Sequence, residues 1–122
     1  MDFVIVITGK SYTEVKIIGE NNMSLLQEII KREIEFNLPR FTNHEDSKTY
    51  FQETYGEQFV EGDSEVINGK RIYYYKLILN KATYIQGLKE LKENGSVSDM
   101  FFSLSYQSIE IRENGTVYLF DN

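Results

Sequence analysis

Titration near neutral pH rests on one side chain, His44, in the polar run Thr42-Asn43-His44-Glu45-Asp46-Ser47. An imidazole beside two carboxylates holds parts of a Ser-His-acid relay, with Glu45 or Asp46 as orienter and one of nine serines as nucleophile. No serine stands in the Gly-x-Ser-x-Gly turn that strains a nucleophile into reach. His44 therefore reads as an exposed loop residue. As metal donors, His44, Glu45, Asp46 and Asp63 are hard ligands. They lack both an i, i+4 histidine pair and the spacing of an EF-hand loop, so no metal site is expected. Cysteine is absent, which removes thiolate sites and disulfides. Gly9-Lys10-Ser11 matches the last residues of a phosphate-binding loop, but that loop needs a glycine where Val4 stands and a helix after the serine, and Tyr12 onward alternates like a strand. Without a nucleophile context, metal pattern or phosphate loop, the expectation is a non-enzyme with no cofactor.

Carboxylates are the second chemical resource. Between Asn43 and Val66 lie Glu45, Asp46, Glu53, Glu57, Glu61, Asp63 and Glu65 against one cation, Lys48, a net of −6 that equals the formal charge of the whole chain. Charge gathered into one segment steers a cationic partner and raises its rate of encounter. A helix from Lys48 to Glu61 is expected, with Phe51, Tyr55 and Phe59 on one stripe and Glu53, Glu57 and Glu61 roughly 200° away. Like charges at i, i+4 cost a few tenths of a kcal/mol per pair and Gly56 up to about 1, so that helix needs its aromatic stripe docked. These seven carboxylates, with Tyr50 and Tyr74, form the candidate partner-binding set, since tyrosine gives broad contact with a polar tip.

The partner this implies is a basic protein, and the role an inhibitor that occupies a nucleic-acid-binding site, as an antitoxin-like or anti-defence protein of a bacterium or phage would. Direct nucleic-acid binding is not expected, because cations cluster only as the pairs Lys31-Arg32 and Lys70-Arg71. Two alternatives stand beside it. One is an immunity-type or regulatory protein that binds through an apolar, tyrosine-rich surface. The other is a small-molecule-binding or enzymatic α+β domain with its pocket between sheet and helices.

The elements that would carry these residues are legible from periodicity. Phe3–Ile7 and Tyr12–Ile18 read as a hairpin across Gly9-Lys10. Ser24 to Gln27 fits a capping box for a helix over 24–37, with Leu26, Ile30 and Ile34 at i+4 beside Leu25, Ile29 and Phe36, ended by Pro39. Ser64–Ile67 and Lys70–Leu79 flank the hairpin signal Asn68-Gly69, and the second run, apolar on both faces, reads as a central strand covered on two sides. Asn80 caps a helix in which Ala82, Ile85, Leu88 and Leu91 line one side, closed by Asn94-Gly95. Met100–Tyr106 alternates again, and Ile109, Ile111, Tyr118 and Phe120 share a face across an Asn114-Gly115 turn. The predicted fold is α+β, one domain over residues 1–122 with an acidic surface segment at 43–66, an antiparallel sheet with two main helices on one face, in the order ββα, acidic segment, ββα, βββ.

Thirteen isoleucines and nine asparagines against one alanine and one proline fit A/T-rich codon usage, hence a low-GC bacterium or its phage. Five apolar residues after Met1-Asp2 are too few for a signal peptide, and no run of 18 apolar residues exists, so no membrane contact is expected and the expected location is the cytoplasm of a bacterium or phage-infected cell.

Overall fold

In the computed structural model of the chain, residues 2–8, 11–17, 23–98 and 101–120 are described. They form an α+β fold. Strands β1 (Asp2–Thr8) and β2 (Ser11–Ile17) pair antiparallel as a separate two-stranded sheet, with the proposed Gly9-Lys10 turn outside the described residues. Helices α1 (Met23–Asn37) and α2 (His44–Tyr55) follow. A four-stranded antiparallel sheet holds β3 (Phe59–Ile67), β4 (Lys70–Ile78), β5 (Tyr106–Arg112) and β6 (Val117–Phe120) in sequence order, and α3 (Lys81–Asn94) lies between β4 and β5. Among the described residues no helix is long and apolar enough to cross a membrane.

One face of the larger sheet carries the core. Leu26, Ile30 and Ile34 of α1 and Phe51 and Tyr55 of α2 pack on Tyr75, Leu77, Ile109 and Ile111, all buried. The i+4 stripe of α1 thus docks as its spacing predicts, whereas Leu25 and Phe36, expected beside it, are exposed at 57% and 89%. Ser24 lies inside the helix, not at a cap, and Gln27 reaches away from it, its Nε2 donating to the carbonyls of Ser103 and Tyr106 at 3.1 and 2.9 Å. The expected capping box is replaced by a cross-link from α1 to the start of β5.

Several local signals act as written. Asn68 and Gly69 both have positive φ, 52° and 78°, which is the two-residue I′ turn between β3 and β4. The Asn80 side chain accepts from the Thr83 amide at 3.1 Å and Gly95 closes α3 in the left-handed region. The face of α3 that docks is a different one from that expected. Ile85, Leu88 and Leu91 are exposed, and the contact is made by Tyr84, stacked on Phe102, and by Gly87, where an added Cβ would sit 1.9 Å from the Phe102 ring. A mid-helix glycine costs about 1 kcal/mol relative to alanine, and here it clears the space that Phe102 fills.

Phe102–Leu104 is a 3₁₀ turn, so the strand expected over Met100–Tyr106 begins only at Tyr106, and Met100 lies outside the described residues. The chain turns there because the Ser105 carbonyl accepts from the Leu79 and Asn80 amides at 2.8 and 3.0 Å.

Candidate functional site

The acidic segment is spread over three elements. α2 ends at Tyr55, a 3₁₀ turn covers Gly56–Gln58, and β3 starts at Phe59, so the expected helix over 48–61 does not exist. Its cause is the Gly56 C-cap, whose φ of 58° leaves the helical region. Phe51, Tyr55 and Phe59 are buried as a set all the same, with Phe51 and Phe59 stacked at 5.2 Å. Glu53 stays on the outside of α2, Glu57 on the 3₁₀ turn and Glu61 on β3, so they share no stripe.

Glu45 and Asp46 have structural roles. They occupy the first turn of α2, where carboxylates oppose the positive end of the helix dipole. The Asn43 side chain accepts from the Asp46 amide at 2.9 Å, while Asn43 Nδ2 and Thr42 Oγ1 donate back to Asp46 Oδ2 at 3.3 and 3.4 Å. Tyr50 packs on Phe41 and Phe51 at the rim of the core, its hydroxyl donating to the Asn37 carbonyl at 3.4 Å.

His44, expected as an exposed loop residue, is 8% exposed and begins α2. The ring stacks on Tyr73 at 3.6 Å, and its Nε2 lies 2.6 Å from the Tyr75 hydroxyl. Nδ1 lies 3.4 Å from Glu45 Oε1. A carboxylate takes only donors, so Nδ1 carries the proton and Nε2 accepts from Tyr75. Burial holds the His44 pKa below its ordinary value, opposed in part by Glu45. This carboxylate–imidazole–hydroxyl array has the connectivity of a nucleophile relay. Its hydroxyl end, however, belongs to Tyr75, only 2% exposed within the core, where no substrate reaches it. The array pins α2 to the sheet. Two further bonds do the same for the loop between β5 and β6, from the His44 amide to the Glu113 carbonyl at 3.1 Å and from Ser47 Oγ to the Gly115 carbonyl at 2.7 Å.

That loop decides what the second sheet face presents. The Gly115 amide donates to the Arg112 carbonyl and the Arg112 amide to the Thr116 carbonyl, and only Gly115 of the Asn114-Gly115 pair has positive φ, 87°. This is a longer turn with a left-handed glycine, not a two-residue I′ turn. The register accordingly moves by one: Ile109 and Ile111 pair with Leu119 and Val117, not with Phe120 and Tyr118. Tyr118 and Phe120 consequently stand on the open face, each 46% exposed, opposite Glu110 and Ser108.

An irregularity between Glu61 and Ser64 has a matching effect on β3. Glu61, Asp63 and Glu65 are spaced for one face of a regular strand. The bulge instead pairs Glu61 with Tyr75 on the covered face, where Lys48 meets it at 3.5 Å, and Glu65 with Ile72 on the open face, where it accepts from the Tyr74 hydroxyl. Bonding to that carboxylate pushes the Tyr74 pKa up to about 12. Tyr73 and Tyr75 face the core side and Tyr74 the other beside Lys76, as expected. On the open face Ile72 and Ile78 are buried while Tyr74 and Lys76 are half-buried, so the second covering layer expected over β4 is partial. Within β3, Val60, Val66 and Ile67 are exposed among the carboxylates, and its outer edge pairs with no other strand among the described residues.

Of the sequence-derived site residues, the structure brings Glu65 and Tyr74 together and puts Asp63 on the same edge, while Glu45, Asp46, Glu53, Glu57 and Tyr50 belong to α2 and its end. No family model, curated protein or solved structure matches the chain.

Proposed function

We propose that the protein is a binding module for a basic partner protein, which adds an extended cationic segment to the free edge of β3 and thereby loses the use of that basic surface, as an inhibitor of a nucleic-acid-binding protein would require. The observation that carries this reading is a nine-residue edge strand with exposed Val60, Val66 and Ile67 and with Glu61, Asp63 and Glu65 among them. An open edge of that length invites pairing, and charges on it repel neutral or acidic strands. A strand bearing lysine or arginine is the one that gains from them. Because Glu61 and Glu65 lie on opposite faces of the sheet, the favoured segment carries cations on both of its own faces, which means neighbouring basic residues. Glu53, Glu57 and Glu61 lie on α2, the 3₁₀ turn and β3 and do not align, so they offer the partner no common stripe.

Selection from an unbiased peptide-display library against the immobilised protein tests it. Enriched peptides should be basic and should be lost on Glu61→Lys/Asp63→Lys/Glu65→Lys. Enrichment of neutral or acidic peptides, or indifference to the triple reversal, rejects the edge as the site.

A second reading has its own observation. Ile85, Leu88 and Leu91 leave an apolar helix face exposed on α3, which suits an immunity-type or regulatory partner with an apolar centre. Salt separates the two, because binding at β3 weakens as ionic strength rises and binding at α3 does not.

A further inference from the structure

The open face holds a hollow of about 360 Å³ lined by Gly62, Asp63, Tyr74, Lys76, Ser108 and Phe120. Two small residues create it. Ser108 stands in register between Lys76 and Phe120, and Gly62, at the bulge, has no side chain and little room for one, since a Cβ there would meet the Tyr74 carbonyl oxygen at 3.0 Å. Tyr75 and Ile109 contribute only their backbone to the floor, because their side chains lie in the core. The volume falls at the small end of the ligand-pocket range, roughly 300–1,000 Å³.

The charges around the hollow are already allotted, with one exception. Glu65 is engaged by Tyr74, and Glu110 by Arg112 at 2.7 Å. The Lys76 ammonium is drawn off toward the Tyr106 and Tyr84 rings, 4.8 and 5.7 Å from their centroids, so that its stem lines the hollow and its charge sits at the far end. Asp63 makes no hydrogen bond or ion pair among the described residues. A carboxylate without a cation, beside an aromatic ring of β4 and another of β6, is the chemistry that recognises a guanidinium: planar, able to lie flat on a ring and to donate two parallel bonds to one carboxylate. A lysine ammonium is compact and strongly hydrated and gains less from the rings.

We infer that this hollow is the socket for one arginine side chain of the basic segment bound at β3, its stem entering over Gly62 and its guanidinium on Asp63 and against the Tyr74 ring, with Phe120 closing the far end. The inference rests on the reading of β3 as a docking edge, and the experiment separates the two. Three labelled heptapeptides, Thr-Val-Lys-X-Lys-Val-Thr with X as arginine, lysine or citrulline, so that X and the two flanking lysines face opposite ways, are measured by fluorescence anisotropy against the wild type and against Asp63→Asn and Phe120→Ala, each checked for an unchanged melting temperature. N-acetyl-arginine methylamide is titrated in parallel while backbone amide shifts are followed.

The wild type should bind the arginine peptide about tenfold more tightly than either of the others, a preference that both variants reduce to within about twofold. The free arginine derivative should move the amides of Gly62, Asp63 and Ser108 in the wild type and not in Asp63→Asn. Peptides that bind without arginine preference, together with an unmoved hollow, overturn the socket and leave the edge standing. A hollow that responds to the arginine derivative while no peptide binds overturns the edge and leaves a guanidinium site. Silence in both assays rejects both.

Discussion

The two faces of the four-stranded sheet differ in how much of their surface they leave to solvent. On the helix-covered face His44 has Tyr75, Ser47 has the Gly115 carbonyl and Glu61 has Lys48, while the buried Gln107 donates through Nε2 to the Ser108 and Phe120 carbonyls and leaves its Oε1 without a partner among the described residues. On the open face, Tyr118, Phe120 and Val60 remain exposed and Asp63 has no partner among the described residues. The difference teaches where to look for consequences. Damage to the covered face removes contacts the fold depends on, and damage to the exposed residues of the open face removes contacts the fold does not use.

The sharpest way to break this comparison is a pair of aromatic truncations. Phe51→Ala should destabilise the protein by about 3–5 kcal/mol in urea denaturation, because a fully buried ring leaves a cavity. Phe120→Ala should stay within about 0.5 kcal/mol of wild type. Similar costs for the two would mean that the open face is not open in solution.

A smaller loss is expected at the pin. His44→Ala leaves the buried Tyr75 hydroxyl without its acceptor and removes the stack on Tyr73, so unfolding free energy should fall by about 1–3 kcal/mol. A change near zero would restore the exposed-loop reading of this residue.

The same imidazole gives a pH signature. Its folded pKa is lowered, chiefly by burial, so the unfolded chain binds the proton more readily than the folded one. The stability due to neutral His44 is complete above the unfolded value of about 6.5 and is lost as pH falls toward the lower folded value. The melting temperature should therefore drop further between pH 7 and pH 5 for the wild type than for His44→Gln. Parallel curves would show that the ring is solvated in the folded state.

The smallest effect concerns the helices. α2 buries Phe51 and Tyr55, whereas among the described residues α3 docks around Tyr84 and Gly87, so amide exchange should be slower in α2 than in α3. The reverse order would place α3 against a covering layer.

What was legible in the sequence, and what was not, divides along physical lines. Signals that act within a few residues were readable: the Asn68-Gly69 turn, the Asn80 and Gly95 caps, and the stripe of Leu26, Ile30 and Ile34. The open face depends on two offsets of a single residue, at the loop before Thr116 and at the bulge of Gly62 and Asp63. Either offset exchanges the faces of the residues beyond it, and both are settled by tertiary packing. Gly115 is held against Phe41 and Asn43, and no local pattern announces that contact. The burial of His44 follows from the same docking, which is why a polar run concealed a core residue. Tyr74 and Asp63 were named for their chemistry, and Phe120 was missed because the two-residue turn assigned it to the wrong face.

The central claim, that β3 and the open face form a docking surface for a basic extended segment, is tested most directly by mapping backbone amide shifts on addition of the arginine heptapeptide at low salt. The account predicts changes confined to β3 from Val60 to Ile67 and to Tyr74, Ser108 and Phe120, together with slower exchange along the β3 edge, all abolished by Glu61→Lys/Asp63→Lys/Glu65→Lys. Changes centred on α2 or α3, or persisting in the triple reversal, would contradict it.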